Sequence, residues 1–256
     1  MTTIRSAARV SRILSHVAEQ PAGSTAKEIA GALGLPLPTA YHLLGTLVGE
    51  GLLAKDGHRR YQLGPVVGTI ADAYARQLTP PEFLVAPLHR LAHETSETAY
   101  VATWRHGRIA VLASVEGSSA VRVSGLHLGF AGFGHARASG KVLLAYGTDA
   151  MRRTYLLANP LVPVTARTIV EPHELELELE RTRLRGYAVD EEEFREGVAC
   201  AAAPVLEDGR IVAAYSLSAP IERFRRNREQ LLGQLVAVAR EAEGALRTNG
   251  ASVSAS

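Results

Sequence analysis

A chain of 256 residues, 46% hydrophobic and 21% charged, is long enough to bury a core in one large domain or two modest ones and has an ordinary globular balance. Its net charge of +2 does not by itself announce a nucleic-acid partner, and its one cysteine, Cys200, excludes an intrachain disulfide and suits a reducing cytoplasm. No apolar run reaches the roughly 18 residues of a membrane span, and Arg5, Arg9 and Arg12 interrupt any signal-peptide core. The charge is unevenly spread: residues 1–63 hold seven Lys/Arg and four Asp/Glu, a surplus of +3 that leaves the remainder at −1.

Ile4, Ala8, Val10, Ile13, Leu14 and Val17 recur at helical spacing, and Pro21-Ala22-Gly23 ends that first helix. Thr25, three residues ahead of Glu28, forms a capping box for a second helix with Ala26, Ile29, Ala30 and Leu33 on its apolar face. Gly34 is placed to close it in a left-handed conformation. Pro36 and Pro38 stop its continuation, and Pro38 suits the first turn of a third helix over Ala40, Leu43, Leu44, Leu47 and Val48 to about Glu50. Asp56-Gly57 between two short strand-like runs, 52–55 and 58–63, signals a hairpin. Three helices followed by a hairpin is the winged-helix order. Another helical run reaches Gln77, and Pro80-Pro81 breaks the chain. The expected organisation is a winged helix-turn-helix head at 1–64, a linker helix at 65–80, a body at 81–247 and a polar, disordered tail at 248–256.

The body opens with a helix over 82–95. Strands are expected at 98–104, 109–115, 120–123, 198–206 and 210–218, the last two joined across Asp208-Gly209. Residues 125–134 read as a loop, and 140–146, 149–157, 172–185 and 228–246 as helices. The predicted fold class is therefore α+β, with a central antiparallel sheet flanked by helices.

In a helix-turn-helix the third helix enters the major groove, and residues near its start reach base edges. Pro38, Thr39, Tyr41, His42 and Thr46 lie there, opposite the apolar stripe. Lys55, His58, Arg59 and Arg60 in the hairpin, with Arg5 and Arg9 from the first helix (and Arg12 beside them), suit phosphates or the minor groove. The basic wing favours double-stranded DNA over a protein-contacting three-helix module.

These residues resemble the IclR family of bacterial transcriptional regulators. In the head the likeness lies in Ala26–Ala30, Gly34-Leu35-Pro36, Leu43–Leu47, Gly51-Leu52-Leu53 and, after the wing, Tyr61–Gly64. In the body it lies in Ala138–Ala145, Arg185–Glu193, Gly197–Pro204 and Ser216–Pro220. It spans nearly the whole chain, in order. Two positions depart from the family pattern: Pro38 stands where a hydroxyl residue is common, and His42 where an arginine is, which removes a bidentate donor. The resemblance implies a GAF-like or profilin-like sensor domain and a cytoplasmic dimer or dimer of dimers on a palindromic operator. It also implies a small organic or aromatic acid bound at the loop that opens the helix after Arg137. Effector contacts would come from Ala138, Ser139 and Gly140, with Asp190, Cys200, Ser216 and Ser218 opposite.

The residues support that site independently. His135–Gly140 leads into a helix start, whose free N–H groups and dipole suit a carboxylate. Ser216 and Ser218, two apart on a strand, share a face. Arg137 is balanced between a surface role and a carboxylate partner. Gly134–Lys141 resembles a phosphate-binding loop but has one residue too many, and Val142 replaces the needed hydroxyl. Cys200 with His135 as a nucleophile pair and a zinc site at Asp190, Cys200 and a histidine each rank below an ordinary structural role, and the run Asp190–Glu193, which could hold a metal or act as an acid, is expected as a solvated turn. Neither a metal nor another cofactor is expected. The competing functions are an enzyme acting on a small acid with the head as an interaction module, and a DNA-bending protein with an empty body.

Overall fold

The computed structural model describes residues 4–120, 126 and 128–253, and the chain divides into two compact units, 1–77 and 78–256. The first contains α1 (Arg5–Ala18), β1 (Ser24–Thr25), α2 (Ala26–Leu33), α3 (Leu37–Gly49), β2 (Leu53–Lys55), β3 (Arg60–Leu63) and α4 (Pro65–Gln77). The capping box starts α2 as its sequence predicts. Thr25 N donates to Glu28 Oε2 at 2.7 Å, and Glu28 N to Thr25 Oγ1 at 3.3 Å. Gly34 ends the helix at φ 62°, where a side chain would be strained. Ile13, Val17, Ile29, Ala40, Leu44, Leu47, Leu53 and Tyr61 converge in one core, each large side chain contributing roughly 1.5–3 kcal/mol through burial.

Two details differ from the expectation. A third strand, β1, pairs Ser24 with Tyr61 and Thr25 with Arg60, so the wing is a three-stranded sheet in the order β1-β3-β2. The hairpin turn also takes in 56–59. Asp56 Oδ1 accepts from His58 N and Arg60 N at 2.9 and 2.8 Å, and the left-handed residue is Arg59, φ 61°, rather than Gly57. The aspartate organises this turn through its side chain.

The second unit contains α5 (Glu82–Thr95), β4 (Thr98–Arg105), β5 (Arg108–Val115), α6 (Ala138–Tyr146), α7 (Asp149–Ala158), α8 (Pro172–Arg185), β6 (Ala188–Glu191), β7 (Val198–Glu207), β8 (Arg210–Pro220), α9 (Ile221–Arg226) and α10 (Arg228–Val253). Its antiparallel sheet runs β5-β4-β8-β7-β6 among the described residues. Alternation along the strands sends Ala99, Val101, Ala199, Ala201, Tyr215 and Leu217 to a core with α5 and α10, and Ala102, Ala188, Ala202 and Ala214 to a core with α6 and α8. Small residues on the strands let helices lie close on both faces.

The strands β4, β5, β7 and β8 and the helix α8 fall where the pattern places them, whereas β6 and α9 are additions. The expected strand at 120–123 lies, beyond Ala120, outside the described residues. The closing helix runs to Val253, past the predicted end at Leu246, and 254–256 lie outside the description. Among the described residues no helix is long and apolar enough to cross a membrane.

Candidate functional site

In the first unit α3 buries Ala40, Leu44 and Leu47 and turns its other side outward. Tyr41 is 53% exposed, Pro38, His42 and Thr46 are exposed, and Thr39 is half-buried. Thr46 Oγ1 donates to His42 O at 3.1 Å, so its proton is committed to the helix while its lone pairs stay open. In the wing Lys55, His58 and Arg59 are exposed, with Lys55 over the Tyr61 ring at 5.4 Å. Arg60 differs in character. Its Nη1 donates to Gly23 O at 2.8 Å and lies 3.5 Å from Glu28 Oε2, tying the wing to the start of α2 rather than reaching outward. Arg5 and Arg12 are exposed on α1 and Arg9 is half-buried. Lys27, exposed in the first turn of α2, joins this basic set; its one sequence signal was membership of the front-end charge surplus.

In the second unit two rows of side chains cross the sheet on the face covered by α6. One aligns Asp190, Cys200, Ser218 and Thr98 on β6, β7, β8 and β4; the other aligns Ala188, Ala202, Ser216 and Tyr100. Cys200 Sγ lies 2.9 Å from Ser218 Oγ, and Tyr100, missed in the sequence, hydrogen-bonds to Ser218. Burial, then the neighbouring Cys200, pushes the Tyr100 phenol up to about 12. Asp190 is 1% exposed and its Oδ1 accepts from Glu193 N at 2.7 Å and Phe194 N at 3.2 Å. Burial and the adjacent Glu193 outweigh these bonds and push its carboxyl up to about 7.

The run Asp190–Glu193, expected as a solvated turn, is instead tied down by cations. Glu193 pairs with the wholly buried Lys141, whose Nζ also donates to Val189 O at 3.0 Å; Glu191 pairs with Arg228, and Glu192 with Arg167 at 3.3 Å. They hold the turn after β6, while strand alternation puts Asp190 on the same inward face as Ala188.

Ala138, Ser139 and Gly140 form the first turn of α6, all buried. Ala138 belongs to the core with Val142 and Ile109. Gly140 has a packing reason: a Cβ there would lie 2.1 Å from Gly134 O, so helix and loop touch backbone to backbone. The glycine spacing that resembled a phosphate loop is this contact. Arg137, at the N-cap, is 2% exposed. It stacks over Phe130 at 5.1 Å, and its Nη2 donates to Ile109 O at 3.4 Å. Phe130 and Phe133 both approach the Phe194 ring, at 5.9 and 6.0 Å.

No cysteine–histidine pair forms: His135 Nε2 meets Val162 O at 3.0 Å, while burial pushes the Cys200 thiol up and keeps it protonated. Among the described residues no cluster of three or more His, Cys, Asp or Glu could hold a metal ion.

Residues 82–243 match the family described as "Bacterial transcriptional regulator IclR C-terminal", and residues 6–57 the "IclR helix-turn-helix domain". The HTH-type transcriptional repressor AllR of Salmonella typhi is 33% identical over 227 residues, covering 88% of this chain and 83% of that protein. A putative transcriptional regulator from Rhodococcus sp. RHA1 superposes with a TM-score of 0.72 at 28% identity, over 96% of this chain and 99% of that one. An IclR homolog from Microbacterium hydrocarbonoxydans, solved with 4-hydroxybenzoate, superposes with a TM-score of 0.71 at 24% identity over 95% and 99%. With a helix-turn-helix in the first unit and family matches that run through both units, the protein is a DNA-binding transcriptional regulator, not an enzyme, and the chain belongs to the IclR family.

Proposed function

We propose that the protein acts in the cytoplasm as a dimer or dimer of dimers on a palindromic operator, and that a small carboxylate bound beneath the start of α6 controls its grip. The head, 1–64, reads DNA with Thr39, Tyr41, His42 and Thr46 near the start of α3, beside Pro38. Arg5, Arg9, Lys55, His58 and Arg59 hold phosphates, and Arg60 shapes the wing they sit on. The sensor, 81–247, takes the effector between the first turn of α6 (Ala138, Ser139, Gly140) and the row of Asp190, Cys200, Ser218 and Ser216. The observation that carries this reading is the polar floor of Asp190, Cys200, Ser216 and Ser218 under a helix N-terminus. Self-association is supported by α4, where none of the residues is buried and Val66, Ile70 and Tyr74 expose an apolar stripe at helical spacing. Effector binding then shifts the population between arrangements of the paired heads.

Selection of DNA from a random pool by the full chain, with and without a panel of keto, hydroxy and aromatic acids, tests this. A two-fold symmetric site whose occupancy responds to an acid is expected; an unselective pool overturns the reading. Arg59→Ala should lower the salt slope of binding by about 1 without altering the selected motif, whereas replacing Tyr41 or His42 should change the motif.

A further inference from the structure

The start of α6 brings together two positive features that the described residues answer only in part. The first is the helix end itself. An N-cap residue usually supplies a side-chain oxygen to the first-turn N–H groups, but the residue here is Arg137, which has none, and α6 has no side-chain cap. The second is the Arg137 guanidinium. It is almost wholly enclosed, and its Nε and Nη1 have no hydrogen-bond partner among the described residues. The six internal residues outside the description (Val121, Arg122, Val123, Ser124, Gly125 and His127) include no acid. The carboxylate that acts on Arg137, Asp190, is itself pushed up to about 7 by burial and Glu193. Burial accordingly draws Arg137 down to about 10. An enclosed, half-satisfied guanidinium destabilises a folded chain unless something else completes it. The surroundings indicate the shape of that partner. Phe130 lies under the guanidinium plane and packs edge-on to Phe194, whose backbone N–H binds Asp190. A planar anion would meet donors at Arg137, ring faces alongside, and Asp190 beyond.

We propose that Arg137 is the group that pairs with the effector's anionic end, and that the effector is an aromatic carboxylate seated against Phe130 and Phe194. This rests on the reading of the second unit as an acid sensor and assigns the charge recognition to a side chain rather than to the helix start alone. A carboxylate here takes charge-assisted bonds from the open guanidinium and completes the helix end at the same time. It also means that Arg137 lowers the stability of the empty protein in exchange for recognition, as polar groups at binding sites do.

The test uses the full chain, calorimetric titration with benzoate, benzamide and cyclohexanecarboxylate, and thermal unfolding without ligand. Wild type should bind benzoate at least tenfold tighter than either analogue. Arg137→Met should weaken benzoate roughly 10- to 100-fold, yet unfold at the same or a higher temperature than wild type, and still bind the selected DNA. A structural arginine would give the reverse: lower unfolding temperature, unchanged benzoate affinity. That result overturns the proposal, as does a wild type that binds none of the three probes or prefers benzamide. The probe comparison needs no variant, so it decides the matter even if Arg137→Met does not fold. Failure of the wild type to select any DNA would instead count against the regulator reading, leaving the assignment of Arg137 to the titrations.

Discussion

The two faces of the sensor sheet are built from the same strands and do opposite work. Toward α5 and α10 the strands present mainly Ala, Val and Leu, and the buried Tyr215 donates its hydroxyl to Leu84 O at 2.8 Å. Toward α6 and α8 the buried set includes Lys141, Arg137, Asp190, Ser216 and Ser218. Period-two alternation allows this, because neighbouring residues on one strand answer to different layers. The apolar face gains stability from packing; the polar face holds charges in place and leaves some of their bonding capacity open.

The sharpest break in that contrast should come at Lys141. Lys141→Met leaves Glu193 enclosed without its cation, and urea denaturation should show a loss of about 3–5 kcal/mol together with a loosened turn after β6. Leu91→Ala on the apolar face should lower stability by about 2–5 kcal/mol but leave the effector affinity of the folded fraction unchanged. A coupled loss of affinity would show that the faces are not independent. The third test is one of pH. Asp190 takes up its proton at about 7 in the folded protein against an ordinary 3.8, so the native state binds more protons than the unfolded one between those values. Its contribution to stability therefore falls as pH rises from about 4 to 7 and then levels. Asp190→Asn should remove this slope, gaining on the wild type by roughly 1–3 kcal/mol across the window, while keeping the acceptor for Glu193 N and Phe194 N. Identical pH profiles would place the proton elsewhere.

Elements with local signals were legible in the sequence. The Thr25–Glu28 box, Gly34, the start of α8 at Pro172 and its stop at Gly186 each follow from a residue acting on its neighbours. What was hidden depends on distant partners. β1 is two residues long and exists because Tyr61 and Arg60 lie beside it. β6 is masked by a run of acids that looks solvated until Lys141, Arg228 and Arg167 neutralise it from other elements. Ser216 and Ser218 could be assigned to one face from spacing alone, but the row they form with Cys200 and Tyr100 requires strand register. Arg60 and Arg59 look equivalent in sequence; the bond from Arg60 to Gly23 O separates a structural tie from an outward charge. Ala138, an expected effector contact, is a core residue, so a bulky side chain there would disturb packing as well as entry.

Cys200 gives the polar face a built-in clock. It is the only thiol in the chain, it lies against Ser218, and burial keeps it in the unreactive protonated form. Alkylating reagents attack the thiolate, so iodoacetamide should label the closed protein slowly and at a single position. Cys200 is partly exposed, so the labelling rate reports how far its surroundings shield it, with no engineered probe. A bound acid that covers Cys200 should slow that clock.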